Sequence, residues 1–255
     1  MAKRLPIYTS DAKAFAKAFE PLTVRHNPWT IYCDFITMLA CTISCAVDYE
    51  PARREKRVDL LKQTADHYTE EEIKSFEALT EITVSALTDN PRRDFLGELY
   101  MSLDFGSSFH GQFFTPWNIA YMMAQMTGVG EEKLHEGKSY FSVCDPCCGA
   151  GCMLNAAAQA YSDKGNYQTD ILFVGQDIDS VVALTAYVQC SLLGMSGYIA
   201  IGNSLANPLT GTDLHPSIGE GGELWFMPMF FSPLWTYRRE VEELQLLAAR
   251  QETKI

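Results

Sequence analysis

Residues 141–152 read FSVCDPCCGAGC: a short apolar stretch runs into Asp145, Pro146, Cys147, Cys148, Gly149, Ala150 and Gly151, and then into a helical pattern. A strand that turns sharply into a helix is the building unit of an open α/β sheet. Such a sheet keeps its ligand notch at the carboxyl ends of its strands. Gly149 and Gly151 let the backbone adopt torsions closed to other residues and come close to a ligand. The segment therefore predicts an α/β fold with a nucleotide-sized notch at 145–151.

The chain on either side supports that class. From about residue 105, strand-like and helical segments alternate: YFSVCD, a helix over 151–161, ILFVGQD, a helix over 180–193, YIAIGNS and ELWFMPMFF. This is the rhythm of a parallel sheet with helices on both faces. Residues 10–90 carry helical periodicity instead. Thr69 followed by Glu70, Glu71 and Glu72 marks a capped helix start. Two domains are expected, a helical one over 1–100 and an α/β ligand-binding one over 101–255.

The run from Thr30 to Val47 is nearly long enough to span a bilayer, but Asp34 lies inside it, so a buried helix is the expectation. No basic region precedes an apolar stretch at the start, so no signal peptide is read. Eight cysteines in a chain of this kind fit a reducing cytoplasm. Cys144, Cys147, Cys148 and Cys152 crowd together, but one tight turn aims four thiolates at a common point poorly, so no metal is expected. The net charge of −12 argues against a broad DNA-gripping surface. The short basic clusters at Arg53, Arg54, Lys56 and Arg57, at Arg92 and Arg93, and at Arg238 and Arg239 read as solvated helix faces.

Four sites recur in a fixed order. They are Gly111-Gln112-Phe113-Phe114-Thr115-Pro116 before a helix, the 145–151 turn, Gly175-Gln176-Asp177-Ile178-Asp179, and Gly202-Asn203-Ser204-Leu205. An acid at the end of the second strand accepts hydrogen bonds from ribose hydroxyls, and Asp177 or Asp179 supplies it. The glycine spacing is not the G-x-G-x-x-G that seats a pyrophosphate. An acid in the first loop repels phosphate and suits a ligand carrying an amine, as S-adenosylmethionine does.

The order GQFFTP, DPCCGAG, GQDID, GNSL resembles the modification subunit of type I restriction-modification systems, of the N-6 adenine-specific DNA methylase family. The resemblance covers roughly residues 92–232. It implies a Rossmann-like class I S-adenosylmethionine-dependent methyltransferase core behind an α-helical N-terminal domain, and adenine-N6 methylation of DNA. It implies that Thr115 and Pro116 lie by the methionine end of the cofactor, with Asp145, Cys148, Gly149 and Gly151 forming the first-strand loop around it. Asp177 then takes the ribose, Ile178 packs on the adenine ring, and Asn203 faces the adenine amino edge. The implied partners are DNA, held weakly by this chain alone, and a specificity or other protein subunit or a second copy, with no membrane.

The family's catalytic motif is Asn-Pro-Pro followed by Phe or Tyr, whose polar groups accept from the amine of a flipped adenine while the ring stacks on the base. Residues 223–230 here read ELWFMPMF. Pro228 and Phe230 keep their places in the motif, and Met227 stands where Asn is expected. A thioether is a weak acceptor, and losing one preorganised polar contact of this kind costs a factor of about 10²–10³. Asn207-Pro208-Leu209 is the other Asn-Pro pair, with a loop turn as its alternative role. The family continues with further C-terminal strands, which are expected to be missing from the 25 residues after Phe230. Two readings stand: a methyltransferase, or a degenerate relative that binds cofactor or a partner.

Overall fold

The computed structural model describes residues 9–102, 114–129 and 139–252. Five helices come first: α1 (Ser10–Phe19), α2 (Pro28–Val47), α3 (Pro51–Ala65), α4 (Glu70–Asp89) and α5 (Phe95–Ser102). Next are α6 (Trp117–Met126), β1 (Phe141–Asp145), α7 (Cys152–Tyr161), the single turn α8 (Tyr167–Asp170), β2 (Ile171–Asp177), α9 (Ser180–Leu192) and β3 (Gly197–Ile201). A small hairpin of β4 (Thr210–Gly211) and β5 (Pro216–Ser217) follows, then β6 (Glu223–Phe226) and α10 (Pro233–Glu252). The start of α4 carries the reciprocal cap that its sequence predicts: Glu72 N–H donates to Thr69 Oγ1 and Thr69 N–H to Glu72 Oε2.

The main sheet has the order β1-β2-β3-β6. The first three strands are parallel, with Asp145 beside Gly175 and Asp177 beside Ile201, so their carboxyl ends share one rim. The fold is the mixed α/β class that the 141–152 segment predicts. β2 is buried on both faces except at its final residue, as expected of a strand between two covered faces. Ile171, Phe173, Ile199 and Trp225 point into the larger core with the N-terminal helices, α7 and α9. Leu172, Val174, Tyr198 and Phe226 point the other way, into a cluster closed by Trp235 of α10.

The strand at 223–226 corrects the sequence reading. It runs antiparallel to β3, pairing Tyr198 with Phe226 and Ile201 with Glu223. A parallel return requires a crossover of a dozen or more residues, usually a helix. The loop over 202–222 holds only the β4–β5 hairpin, so the chain turns back on itself instead. The exit from this strand therefore lies at the opposite end of the sheet from the notch.

The expected divide near residue 100 is not a break in packing. One hydrophobic cluster runs from Ala12 through Phe35, Tyr100 and Ala186 to Met227. α2, long and apolar enough to cross a membrane, is a core helix that buries Ile31, Phe35, Ile36 and Leu39 here. Asn155 of α7 donates to the carbonyls of Pro91 and Arg93. Gln189 of α9 bridges Asp94, the Leu96 N–H and the Ala150 carbonyl.

The basic clusters are solvated only in part: Arg54, Lys56 and Arg92 are exposed, and other members are drawn into the packing. The buried Arg57 lies 3.4 Å over the Trp225 ring and bonds Glu223 at 3.0 Å, while Lys56 pairs with the same carboxylate. Arg53 pairs with Asp48, the buried Arg93 bridges Asp11 and Glu98, and Arg238 donates to the Ser139 and Thr169 carbonyls. These cations fasten elements of the chain to one another.

Candidate functional site

The notch forms where β1 and β2 end. Asp145 closes β1, and its Oδ1 accepts the Cys147 N–H at 3.1 Å, which tightens the turn. Cys148 N–H donates to the Gln176 carbonyl at 3.0 Å, tying the turn to β2. Asp177 closes β2 and works in two directions: Oδ2 accepts the Gly149 N–H at 2.9 Å and Oδ1 accepts the Asp179 N–H at 3.0 Å. The choice between Asp177 and Asp179 is thereby physical. Asp179 is the N-cap of α9, its Oδ1 holding the N–H groups of Val181 and Val182. Asp177 is the acid at the strand end, and next to it Ile178 is 67% exposed, an apolar side chain held out over the rim.

The loop residues divide by the side they face. Gly149 has φ +54°, and a side chain there would meet only the Phe114 ring, at 3.5 Å. Gly151 has φ +86°, and its missing Cβ would lie 3.1 Å from Ala186 and 3.3 Å from the Cys190 sulfur. Gly149 therefore fronts the notch, while Gly151 lets α7 and α9 pack closely behind it. The Cys148 thiol is buried beneath Gly175, and burial pushes its pKa up, so Cys148 serves the loop through its backbone.

The segment Phe114-Thr115-Pro116 completes one wall; Gly111, Gln112 and Phe113 lie outside the described residues. The Thr115 carbonyl accepts from the Cys152 thiol at 3.3 Å, and Pro116 is the N-cap of α6. Phe114, Thr115, Asp145, Cys147 and Gly149 line a small pocket of about 100 Å³. Thr115, Asp145 and Cys147 are shared with a cavity of about 420 Å³ that extends between α6, β1 and α7. That size is in the range of small-molecule sites. Burial raises the Asp145 pKa, and the charge that adds to the shift is another carboxylate, Asp177. Two neighbouring acids make the notch attractive to a cation and unfavourable to a phosphate.

One part of the wall was not legible in the motifs. The Phe114 ring packs 4.9 Å from Tyr100, which meets Trp29 edge-on at 5.9 Å and Tyr32 at 5.8 Å. Burial raises the Tyr100 pKa to about 12, with the Asp179, Cys33 and Asp177 charges adding to it. The N-terminal helices thus supply an aromatic flank to the notch. Nothing in the local spelling around Trp29 or Tyr100 distinguishes a flank residue from any core aromatic.

The structure does not bring Pro228 and Phe230 to this site. The Met227 N–H donates to the carbonyl of Gly197, the first residue of β3, at the amino ends of the parallel strands. Phe230 is buried, stacked 5.0 Å from Phe226 and covered by the Arg239 guanidinium at 4.2 Å. Pro228 opens a short 3₁₀ turn there. The resemblance gave both residues the catalytic place; the antiparallel course of β6 puts them at the far end, with Phe230 in a packed core and Pro228 half-buried beside it.

The two asparagines after β3 are at the right rim but already engaged. Asn203 Oδ1 accepts the N–H groups of Leu205 and Ala206 at 2.9 and 3.0 Å. Asn207 Oδ1 accepts the Gly219 N–H at 2.9 Å, and its amide donates to the carbonyls of Gly219 and Glu220. Asn207 is a loop tie, and Asn203 caps its own turn. No group of three or more potential metal-ligating side chains occurs among the described residues, the crowded cysteines included.

Residues 92–217 match the N-6 DNA Methylase family. The matched segment contains β1 to β5 and the acids and glycines of the notch but not Trp29 or Tyr32 of its flank, and it ends before β6, so Met227, Pro228 and Phe230 lie outside it. Comparison with curated proteins returns no match. Among solved structures, one from Listeria monocytogenes, named as a class I S-adenosylmethionine-dependent methyltransferase, is 13% identical with a TM-score of 0.41. The alignment covers 81% of this chain and 58% of that one, so this chain spans less than two thirds of its length.

Proposed function

We propose that this chain binds S-adenosylmethionine in the β1–β2 notch as a relative of adenine-N6 DNA methyltransferases, and that it does not complete the transfer alone. The observation that carries the reading is the Asp177 carboxylate, fixed at the strand end by Gly149 N–H and Asp179 N–H with Ile178 exposed beside it. A ribose needs an acceptor at that place, and an adenine ring needs an apolar surface next to it. The residues fit the cofactor's other end too. Asp145 offers a carboxylate to an ammonium group, with Thr115 beside it in the same pocket and the Phe114 ring over Gly149. When bound, S-adenosylmethionine supplies a methyl group on a sulfonium; the chain's own acids favour the positive charge and its aromatic flank excludes water from that side.

Adenine chemistry further requires an acceptor at the amine of a base taken out of the duplex. Met227 and Phe230 are packed in the core at the far end of the sheet, and the amide oxygens of Asn203 and Asn207 already accept backbone N–H groups. The degenerate reading is therefore the one we favour. DNA contact in this reading is weak, because Arg57, Arg93 and Arg238 serve packing and the net charge is −12. A specificity subunit or another chain of a restriction-modification system then holds the DNA, in the cytoplasm.

The test is transfer of labelled methyl groups from S-adenosylmethionine to adenine-containing DNA by the purified chain. We expect no transfer above background. Methylated adenine formed by this chain alone would overturn the degenerate reading and leave the family's own activity in its place.

A further inference from the structure

Behind the notch loop lies a buried carboxyl group that neither ribose nor amine recognition uses. Asp94 precedes α5 and caps it, its Oδ1 accepting the Gly97 N–H at 3.2 Å. Asn or Ser would cap the helix without the cost of burying a charge. Yet the chain makes room for an acid here: a Cβ at position 97 would collide with the Asp94 carboxyl group. The same Oδ1 accepts from Gln189 Nε2 at 2.8 Å, and Gln189 also donates to the Ala150 carbonyl in the notch turn.

Another partner of this carboxyl is the Cys152 thiol. Cys152 opens α7 and is buried, and its sulfur lies 3.3 Å from the carbonyl of Thr115 on the notch wall. A thiol carries one hydrogen, so it serves one of these two acceptors at a time. The proton on Asp94 decides which. Ionised, the carboxylate is the stronger acceptor and takes the S–H, so the Thr115 carbonyl loses its donor. Protonated, Asp94 has an O–H of its own to give to the sulfur, and the S–H turns to Thr115. Every hydrogen then has an acceptor along one chain, from Asp94 through Cys152 to Thr115.

Burial raises the Asp94 pKa to about 6, so this change of state falls close to neutral pH. The other ionisable groups that face Asp94 come from four helices. Burial pushes up the Tyr32 phenol of α2 and the thiols of Cys152 on α7 and Cys190 on α9, so all three stay neutral there. Glu98 of α5 is paired with Arg93, which also holds Asp11.

We propose that Asp94 and Cys152 are positioning residues for the notch, a relay in which the proton on Asp94 fixes the Thr115 wall and its loss releases that wall. The consequence for binding rests on the S-adenosylmethionine reading of the notch: affinity is higher with Asp94 protonated and is lost in part as pH rises through its titration.

The carbonyl-carbon NMR shift of Thr115 reads the relay in the unliganded chain. It should titrate with a midpoint near 6 in the wild type. In Asp94→Asn, whose amide imitates the protonated acid, it should stay at the wild type's low-pH value, and in Cys152→Ala it should not respond to pH. Calorimetric titration with S-adenosylhomocysteine reads the consequence. Relative to Asp94→Asn, wild-type affinity should weaken about threefold or more between pH of about 5.5 and about 7.5. That ratio cancels the titration of Asp145, which both proteins share. A Thr115 shift that ignores pH in the wild type, or that titrates unchanged in either variant, would overturn the relay, and so would a constant affinity ratio. If no heat is seen at any pH, the cofactor reading fails and Thr115 alone still decides the relay.

Discussion

Individual carboxylates do three different jobs around the notch, and position sets which. Asp177 accepts two backbone N–H groups at the rim, Asp179 caps α9, and Asp94 lies buried behind the loop. Asp94 Oδ1 accepts from Gln189 and from the Gly97 N–H, and burial pushes its pKa up to about 6. A carboxyl whose folded pKa is raised contributes stability that is full below its unfolded pKa and is lost as pH rises through the folded value. Thermal unfolding of the wild type and Asp94→Asn should therefore diverge with pH. Relative to wild type, the variant's Tm should improve as pH rises from about 4 to about 6 and then level off. A constant difference across that window would mean that Asp94 does not titrate as its burial implies.

At the scale of elements, β6 determines which residues can be chemical. Its antiparallel course follows from the absence of a helix between Gly202 and Glu223, and places Met227 in the core with no solvent exposure. Met227→Asn, the change that would restore the family's spelling, should therefore cost about 2–4 kcal/mol of stability and produce no methyl transfer. Denaturant melts measure the first and labelled transfer the second; a stable, active variant would contradict the placement of β6. The strand-turn-helix at 141–152, the capped start of α4 and the two parallel pairings were legible because each has a local signature: a glycine turn, a capping box, an apolar run. The direction of β6 was not, since an apolar four-residue strand reads the same either way. The sequence did contain the clue, in that GNSLANPLTGTDLHPSIGEGG has no helical period. The buried state of Arg57 was equally hidden, because its partners Trp225 and Glu223 lie more than 160 residues away.

In the whole molecule, the helical N-terminal region and the sheet share one core, so the notch is shaped from both. The Trp29–Tyr100–Phe114 flank comes from the helices and the segment before α6; the acids come from the strand ends. Such a site can hold a cofactor firmly while the base-receiving half of the reaction is supplied elsewhere, and binding is what must be tested first. Titration calorimetry of the purified chain with S-adenosylhomocysteine, alongside Asp177→Ala, addresses this directly. The account predicts one site per chain for the wild type and affinity at least about tenfold weaker in the variant, from loss of a charged acceptor. Absence of heat beyond dilution in the wild type, or equal affinity in Asp177→Ala, would contradict it.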